Sequence, residues 1–325
     1  MSEPSPASSA PWLAHVPVPL FAVVMGVCGL GLAWRKAHVV LHVPKEFSNA
    51  ALLFAASVFV AIALLYALKA ARHPAAVAEE FHHPIRANFF PAISISILLL
   101  SKAALSLDGP WALLLWACGA SIHLAFTLIL IQRWIVDNHD IRHSNPAWFI
   151  PVVGNILVPL TGVPLGFTEI SWFFFAIGFG FWVVLFTIVF YRIVFHDQLA
   201  AKFMPTLFIL IAPPSIGFIS YVGLIDGVDP FARILYYLGL FLGLLVLTMA
   251  RQFLRVPFAV SWWAYTFPLD ALTIATLEYH ERIGADGMAP ICWTALGLTT
   301  LIVLGVLGRT LAALASGCLF VPEKA

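Results

Sequence analysis

Apolar residues along this chain fall into ten long runs that are separated by short polar connections. A run of about 20 apolar residues can cross the hydrocarbon core of a bilayer as an α-helix. The pattern therefore predicts an all-α polytopic membrane protein with ten transmembrane helices. The predicted spans are 17–35, 49–70, 88–106, 110–132, 147–166, 170–192, 204–224, 231–251, 259–279 and 290–316.

Composition agrees with a protein that has lipid as its solvent. Hydrophobic residues make up 62% and charged residues 10% of the 325 residues, whereas soluble domains carry about 25% charged residues. The short connections predict one ten-helix membrane domain, residues 17–316, between a disordered N-terminal tail (1–16) and a short C-terminal tail (317–325). The net charge of +1 and the lack of a basic run argue against nucleic acid as a partner.

Lysine and arginine in the connections indicate the orientation in the membrane. More of them fall on the face that carries both termini than on the opposite face. Because positive residues are retained on the cytoplasmic side, both tails are predicted to be cytoplasmic.

The odd-numbered spans differ from the even-numbered spans in their residue types. Odd-numbered spans combine proline with small or polar residues, whereas even-numbered spans lack proline in their interiors and are richer in leucine and phenylalanine. Pro19, Pro91, Pro151, Pro213 and Pro268 recur at intervals of roughly 60 residues, which is typical of an internal repeat. The chain is therefore predicted to consist of five helical hairpins.

Proline also predicts which helices lie inside. A proline within a helix kinks it and frees a carbonyl that a neighbouring helix or cavity water must satisfy. We therefore expect an inner ring of five kinked helices around a central pore and an outer ring of five against lipid. For the polar candidates taken one at a time, a hydrogen bond between helices is the favoured role. The pore and kink candidates are Pro19, Phe21, Gly26, Pro91, Ser94, Pro151, Asn155, Pro213, Pro214, Ser215, Pro268, Asp270 and Thr273.

One string in the ninth span is distinctive: Ser261-Trp262-Trp263-Ala264-Tyr265-Thr266-Phe267-Pro268-Leu269-Asp270. Its Trp-Trp-Ala-Tyr-Thr-Phe-Pro segment resembles the ninth helix of the tellurite-resistance and dicarboxylate transporter family, which includes the plant guard-cell slow anion channels. The opening string from Val18 to Gly31 is similar to the first helix of that family. The resemblance extends over essentially the whole chain.

That resemblance implies a homotrimer in the bacterial inner membrane, with a pore in each subunit that is plugged by a phenylalanine of the ninth helix. The matching residue is Phe267, which becomes the predicted gate. A hydrophobic constriction blocks ions sterically and by excluding water. Taken without the resemblance, Phe267 is one of 27 phenylalanines and is better explained by packing between helices. The implied function is a channel for small monovalent anions such as chloride and nitrate, not an enzyme.

Asp270 leaves a second function open. The spans hold few basic residues, so anions are expected to be selected by the cost of dehydrating them. An ionised carboxylate near the gate would repel them, so Asp270 either pairs with a cation, for which Arg309 and Lys102 are candidates, or is protonated during part of a cycle. Protonation would favour a proton-linked secondary transporter of C4-dicarboxylates, sulfite or tellurite-type oxyanions.

A membrane oxidoreductase is the third class considered. His123 is the histidine that lies well within a span, whereas a membrane haem held by two histidines needs paired ligands at matching depths. The four cysteines lie in apolar segments without close pairing, which argues against a disulfide framework or a zinc site. No cofactor and no metal site is predicted.

Overall fold

A computed structural model describes residues 12–284 and 286–320. The described part is helical, and it contains no β-strand. The predicted tails (1–16 and 317–325) lie for the most part outside the described residues. Of the N-terminal tail, Trp12–His15 forms a short 3-10 helix.

The α-helices connect through short turns and 3-10 segments. They are α1 (Phe21–Leu41), α2 (Glu46–Arg72), α3 (Pro74–His82), α4 (Ala92–Ala104), α5 (Trp111–Val136), α6 (Phe149–Val153), α7 (Pro159–Gly162), α8 (Thr168–Phe195), α9 (Ala212–Ile225), α10 (Pro230–Thr248), α11 (Ala250–Phe253), α12 (Thr266–Ile283) and α13 (Met288–Ala315). The other 3-10 helices are Val18–Leu20, Arg86–Phe89, Ile141–His143, Pro146–Trp148, Gly154–Leu157, Ala201–Ile211 and Val260–Tyr265.

Eight helical segments of the described chain are long and apolar enough to cross a membrane. They are Val18–Leu41, Glu46–Arg72, Arg86–Ala104, Trp111–Val136, Thr168–Phe195, Ala201–Ile225, Pro230–Thr248 and Met288–Ala315. The fifth predicted span coincides with a shorter apolar helical segment, Pro146–Gly162. The ninth coincides with the helical residues 260–283, whose threonines, acidic residues and His280 make it less apolar.

The prolines of the odd-numbered spans mark a change of helix type. In each of these spans a 3-10 helix precedes an α-helix, and Pro91 directly precedes α4 while Pro213 and Pro268 lie in the first turns of α9 and α12. The first backbone N–H groups of an α-helix have no partner within that helix, so a proline there removes no hydrogen bond. The expected kink inside a continuous α-helix is thus a junction between two helix types.

The helical segments are numbered here after the ten predicted spans to which they correspond. Burial separates the odd-numbered from the even-numbered segments. Within the most apolar window, 78% of the residues are buried in Val18–Leu41 and in Arg86–Ala104, and 61% in Ala201–Ile225. The share is only 17% in Glu46–Arg72. The other even-numbered segments present many large apolar side chains at the surface, for example Leu301, which is 73% exposed.

Packing follows the same division. Each even-numbered segment packs against the odd-numbered segment that precedes it in the chain: α2 on α1, α5 on α4, α8 on α6, α10 on α9 and α13 on α12. The odd-numbered segments also pack on one another, because α1 contacts both α4 and α12, and α9 contacts both α7 and α12. The helix α7 also contacts α4.

Candidate functional site

A cavity of about 1050 Å³ lies among the odd-numbered segments. It is bordered by Ala14 and Leu319, so it opens on the side of the molecule where both ends of the described chain lie. Every odd-numbered segment contributes to its wall. The deeper part of the wall includes one apolar side chain from each segment, namely Met25, Ile95, Leu157, Ile216 and Phe267.

Charge is confined to the rim of the cavity. The acidic, basic and histidine residues that line it belong to the ends of segments, not to their middles: His15, Lys69, Glu79, Glu80, His83, Arg86 and Lys202. A charged rim and an apolar interior let ions collect at the opening while their dehydration is resisted further in.

A buried ion pair fixes one side of this rim. The helix α3, which lies within a predicted connection, carries Glu80, whose carboxylate is 2.7 Å from the Lys69 ammonium. The same carboxylate accepts hydrogen bonds from the Tyr66 hydroxyl (2.9 Å) and the Val18 amide (2.8 Å). Lys69 also donates to the carbonyl oxygen of Val16 at 2.7 Å. Because its charges are paired and hydrogen-bonded, this cluster ties α3 to α2 and to the start of the first segment.

Contacts of neighbouring side chains fix the segment that carries Phe267. The Trp263 indole donates to the Thr310 hydroxyl at 2.9 Å, and the Tyr265 ring packs edge-on against Phe208 with centroids 4.7 Å apart. Both side chains are buried, and Trp263 borders the cavity while Tyr265 does not. Ala264 and Phe267, one turn apart, are half-buried and also line it.

The helices α1 and α12 approach closely behind this wall. A Cβ at Gly26 would stand 2.1 Å from the Thr266 hydroxyl oxygen, and a Cβ at Gly29 would stand 2.5 Å from a carboxylate oxygen of Asp270. No side-chain carbon fits at such distances, so glycine at both positions allows this approach. The helix that carries Phe267 therefore rests directly on α1.

Asp270 points toward α1 and does not line the cavity. Its side chain is fully buried against Gly29, and neither carboxylate oxygen has a hydrogen-bond partner among the described residues. The two cations considered from the sequence do not pair with it. Arg309 lies over the ring of Phe258. Its chain neighbour Thr310 accepts a hydrogen bond from Trp263, so Arg309 lies level with Trp263. Trp263 is about 10 Å along the helix from Asp270.

The other cation considered, Lys102, lies toward the opposite end of α12. It interacts electrostatically with Glu278, two turns beyond Asp270. Asp270 is thus a buried carboxylate without a cationic partner in the described chain.

Four of the residues singled out from the sequence line the cavity, and they are Pro19, Pro213, Phe267 and Pro268. The others lie in contacts between or within helices. Phe21 packs edge-on against Phe59 and Tyr66, and Gly26 lies against Thr266. Pro91, Pro151 and Pro214 are buried at the starts of their α-helices.

The polar candidates make hydrogen bonds inside the helix packing. The Ser94 hydroxyl is 2.9 Å from the imidazole Nδ1 of His123, and the Asn155 amide donates to the Thr127 hydroxyl at 2.9 Å. Ser215 donates to the Ile211 carbonyl, and Thr273 bonds to the hydroxyl of Thr299 at 2.9 Å.

Sequence reasoning missed the apolar wall residues Met25, Ile95, Leu157 and Ile216. They resemble any core residue in a chain this rich in apolar residues, so composition does not reveal them. One of them carried a usable signal, because Ile216 follows the candidate Pro213 by three residues, or about one turn.

Among the described residues, no three His, Cys, Asp or Glu side chains come together as a metal site. The site consists of an apolar cavity with a charged rim, enclosed by the buried segments of a helical membrane protein. This combination is typical of a channel or transporter for small solutes.

Sequence similarity to known proteins identifies the family. Residues 15–311 match the sequence profile of the voltage-dependent anion channel family, SLAC1. The chain therefore belongs to this family, whose members are anion channels and transporters and not enzymes.

Relatives from plants, archaea and bacteria cover most of the chain. It is 28% identical to the S-type anion channel SLAH3 of Arabidopsis thaliana over 93% of its own length and 49% of that protein. It is 26% identical to the uncharacterized transporter MJ0762 of Methanocaldococcus jannaschii, over 92% of this chain and 95% of the relative. It is 24% identical to the tellurite resistance protein TehA homolog of Haemophilus influenzae, over 82% and 83%. The chain spans about half the length of SLAH3.

Proposed function

We propose that the chain is an anion channel in which Phe267 closes a pathway through the protein. The observation that carries this proposal is the cavity itself: all five odd-numbered segments line it, and Phe267 lies in its deeper wall. The proposed architecture is ten helices in five hairpins, with the odd-numbered helices as an inner ring. Support comes from the contacts that link α1, α4, α7, α9 and α12 in a closed series, and from the exposure of the even-numbered helices.

The proposed gate is hydrophobic. Phe267 projects from the second residue of α12, directly before Pro268, into the cavity. Its neighbours across the cavity are apolar, so an ion at this level would lose water without gaining a charged partner. A conformation with the ring in the pathway therefore blocks conduction by size and by excluding water.

The proposed permeant ions are small monovalent anions such as chloride and nitrate. In this pore the positive potential would come from the first N–H groups of the α-helices that follow the 3-10 segments. Since the deep wall holds no charged residue among those described, dehydration cost would decide which anion passes most easily.

Selectivity provides the test of this function. We expect Phe267→Ala channels in planar bilayers to show reversal potentials that follow the anion gradient and ignore the cation gradient. Under equal concentrations of chloride and nitrate on opposite sides, the reversal potential is expected to indicate higher permeability to nitrate, which is less strongly hydrated. Reversal potentials that follow sodium or potassium would refute the proposal.

A proton-linked secondary transporter of C4-dicarboxylates, sulfite or tellurite-type oxyanions is the second candidate, and Asp270 is the observation that favours it. A buried carboxylate without a partner is costly in its ionised form and is more often functional than structural inside a membrane.

Under this alternative, vesicles containing the wild-type protein acidify as they take up the anion, and Asp270→Asn abolishes the acidification. Asp270→Asn is nearly isosteric, so the contact with Gly29 is kept while the proton site is removed. Thr273→Val, one turn further along α12, serves as a control for altering a polar residue of the same helix. Anion uptake that is indifferent to pH in the wild type would eliminate the transporter.

Assembly and placement are part of the same proposal. We propose a homotrimer in the bacterial inner membrane with both termini in the cytoplasm, as the family resemblance implies. The exposed apolar side chains of the outer helices, such as Leu53 and Leu301, supply the surface that lipid or neighbouring subunits would cover. The wide opening of the cavity would then face the cytoplasm, because it lies on the side of the chain ends.

A further inference from the structure

Beyond the cavity, three of the helical segments that line it carry a group of charged residues. On α4, Lys102 follows the cavity residue Ile95 by about two turns. On α1 and α12, Lys36 and Glu278 follow Met25 and Phe267 by about three turns each. Residues a whole number of turns apart lie on the same helix face. The three charged residues therefore extend the cavity-facing stripes of three segments toward the opposite side of the protein.

Contacts place these residues together. The Lys36 ammonium forms ion pairs with Glu278 and Glu281. Glu278 also accepts from Arg282 Nε at 2.5 Å. Lys102 is next to Ala103, whose carbonyl oxygen accepts a hydrogen bond from Arg35 at 2.7 Å. Residues from α1, α4 and α12 thus converge at the end of the protein opposite the wide opening.

Lys102 differs from the other cations of this group. Arg35 donates to the Ala103 carbonyl at 2.7 Å, while Lys36 and Arg282 are held by Glu278. The Lys102 ammonium, which is half-buried, makes no hydrogen bond and no ion pair with a described residue. It is moreover close to two like charges, Arg35 and Lys36. A partly desolvated cation in this position gains from an added anion.

We propose that Lys102 binds a small monovalent anion at the second mouth of the pathway, opposite the wide cavity. This inference rests on the proposed anion pathway. The ammonium supplies a compact charge with three hydrogen-bond donors, and Arg35 and Lys36 raise the local positive potential. The negative charge of Glu278 lowers that potential. Because Glu278 pairs with Lys36 and Arg282, Lys102 is the residue left to bind the anion. The site would capture chloride or nitrate before it reaches the apolar stretch at Phe267.

Saturation of the current tests the site. In Phe267→Ala channels, the chloride concentration is varied on one side of the bilayer at a time. Adding Lys102→Met is expected to raise the half-saturating concentration about tenfold from one side only, the change for a loss of about 1.4 kcal/mol of binding free energy. Lys102→Arg is expected to keep it near its original value. Lys45→Met is the matched control, because Lys45 is an exposed lysine of the same face outside the group.

A second variant gives a change in the opposite direction. Glu278→Gln removes a charge that competes with the anion, so it is expected to lower the half-saturating concentration from that same side. If Phe267→Ala carries no anion current at all, the proposed function fails. If that current is present and neither Lys102→Met nor Glu278→Gln moves the half-saturating concentration, the anion site at Lys102 is refuted while the channel stands.

Discussion

Replacing Phe267 with alanine is expected to raise the anion conductance of bilayers that contain the protein by about tenfold or more. The substitution removes the one aromatic side chain of α12 that both lines the deep cavity and directly precedes Pro268. A drop of only about 1.4 kcal/mol in the barrier to ion passage is enough for a tenfold rise in rate. Losing a hydrophobic constriction, which opposes both the ion and its water, lowers the barrier by at least that much.

The measurement compares wild type, Phe267→Ala and Phe267→Leu under symmetrical chloride. Leucine keeps an apolar side chain but fills less of the pathway, so an intermediate conductance is expected. Phe186→Ala is the matched control, because Phe186 packs against Trp182 on the outer helix α8 and does not line the cavity. Equal conductance of wild type and Phe267→Ala would show that the pathway is closed elsewhere, or that this ring is only a packing residue.

Replacing Gly26 or Gly29 with alanine is expected to lower thermal stability by several degrees. A methyl group at either position would overlap the Thr266 or Asp270 side chain, at 2.1 Å and 2.5 Å, and both partners are fully buried. Overpacking of this kind costs about 1–3 kcal/mol at each site. The helices α1 and α12 would have to separate, which also displaces the segment that carries Phe267.

Heat-induced unfolding of the detergent-solubilised protein measures this effect. Gly180→Ala on α8 and Gly305→Ala on α13 are matched controls, since an added Cβ meets nothing within 4 Å at either position. Alanine favours the helix over glycine by about 1 kcal/mol, so the controls are expected to be neutral or slightly stabilising. If Gly26→Ala and Gly29→Ala melt together with these controls, the close approach of α1 and α12 is not a constraint on stability.

The sequence was a reliable guide to which segments are helical and which of them are buried. Proline and small residues predicted that the odd-numbered segments lie inside, and burial in Val18–Leu41 and Arg86–Ala104 agrees. Hydropathy was less informative for 260–283, because that segment carries Asp270 and Glu278. A helix shielded by other helices can hold polar residues that a lipid-facing helix cannot, so its apolar character is weaker.

What could not be read from the sequence depends on side-chain direction and on distant contacts. Lys69 lies at the end of the second predicted span, yet it is buried against Glu80, which comes from a short helix within a predicted connection. Hydropathy averages over neighbours in the chain, whereas an ion pair joins residues that are neighbours only in space. For the same reason the sequence left open whether Asp270 pairs with Arg309 or Lys102, and neither pairing is present.

Residence in a membrane and the positions of the helical segments were determined by the sequence alone, because they depend on local composition. The choice of Phe267 as candidate gate came from the resemblance of one short string to a known family. Only the tertiary structure decided that Phe267 faces a cavity, that Asp270 faces Gly29, and that Lys102, Lys36 and Glu278 meet at the far end of three helices. A helix places its residues around an axis, and which face meets a cavity depends on what packs against the others.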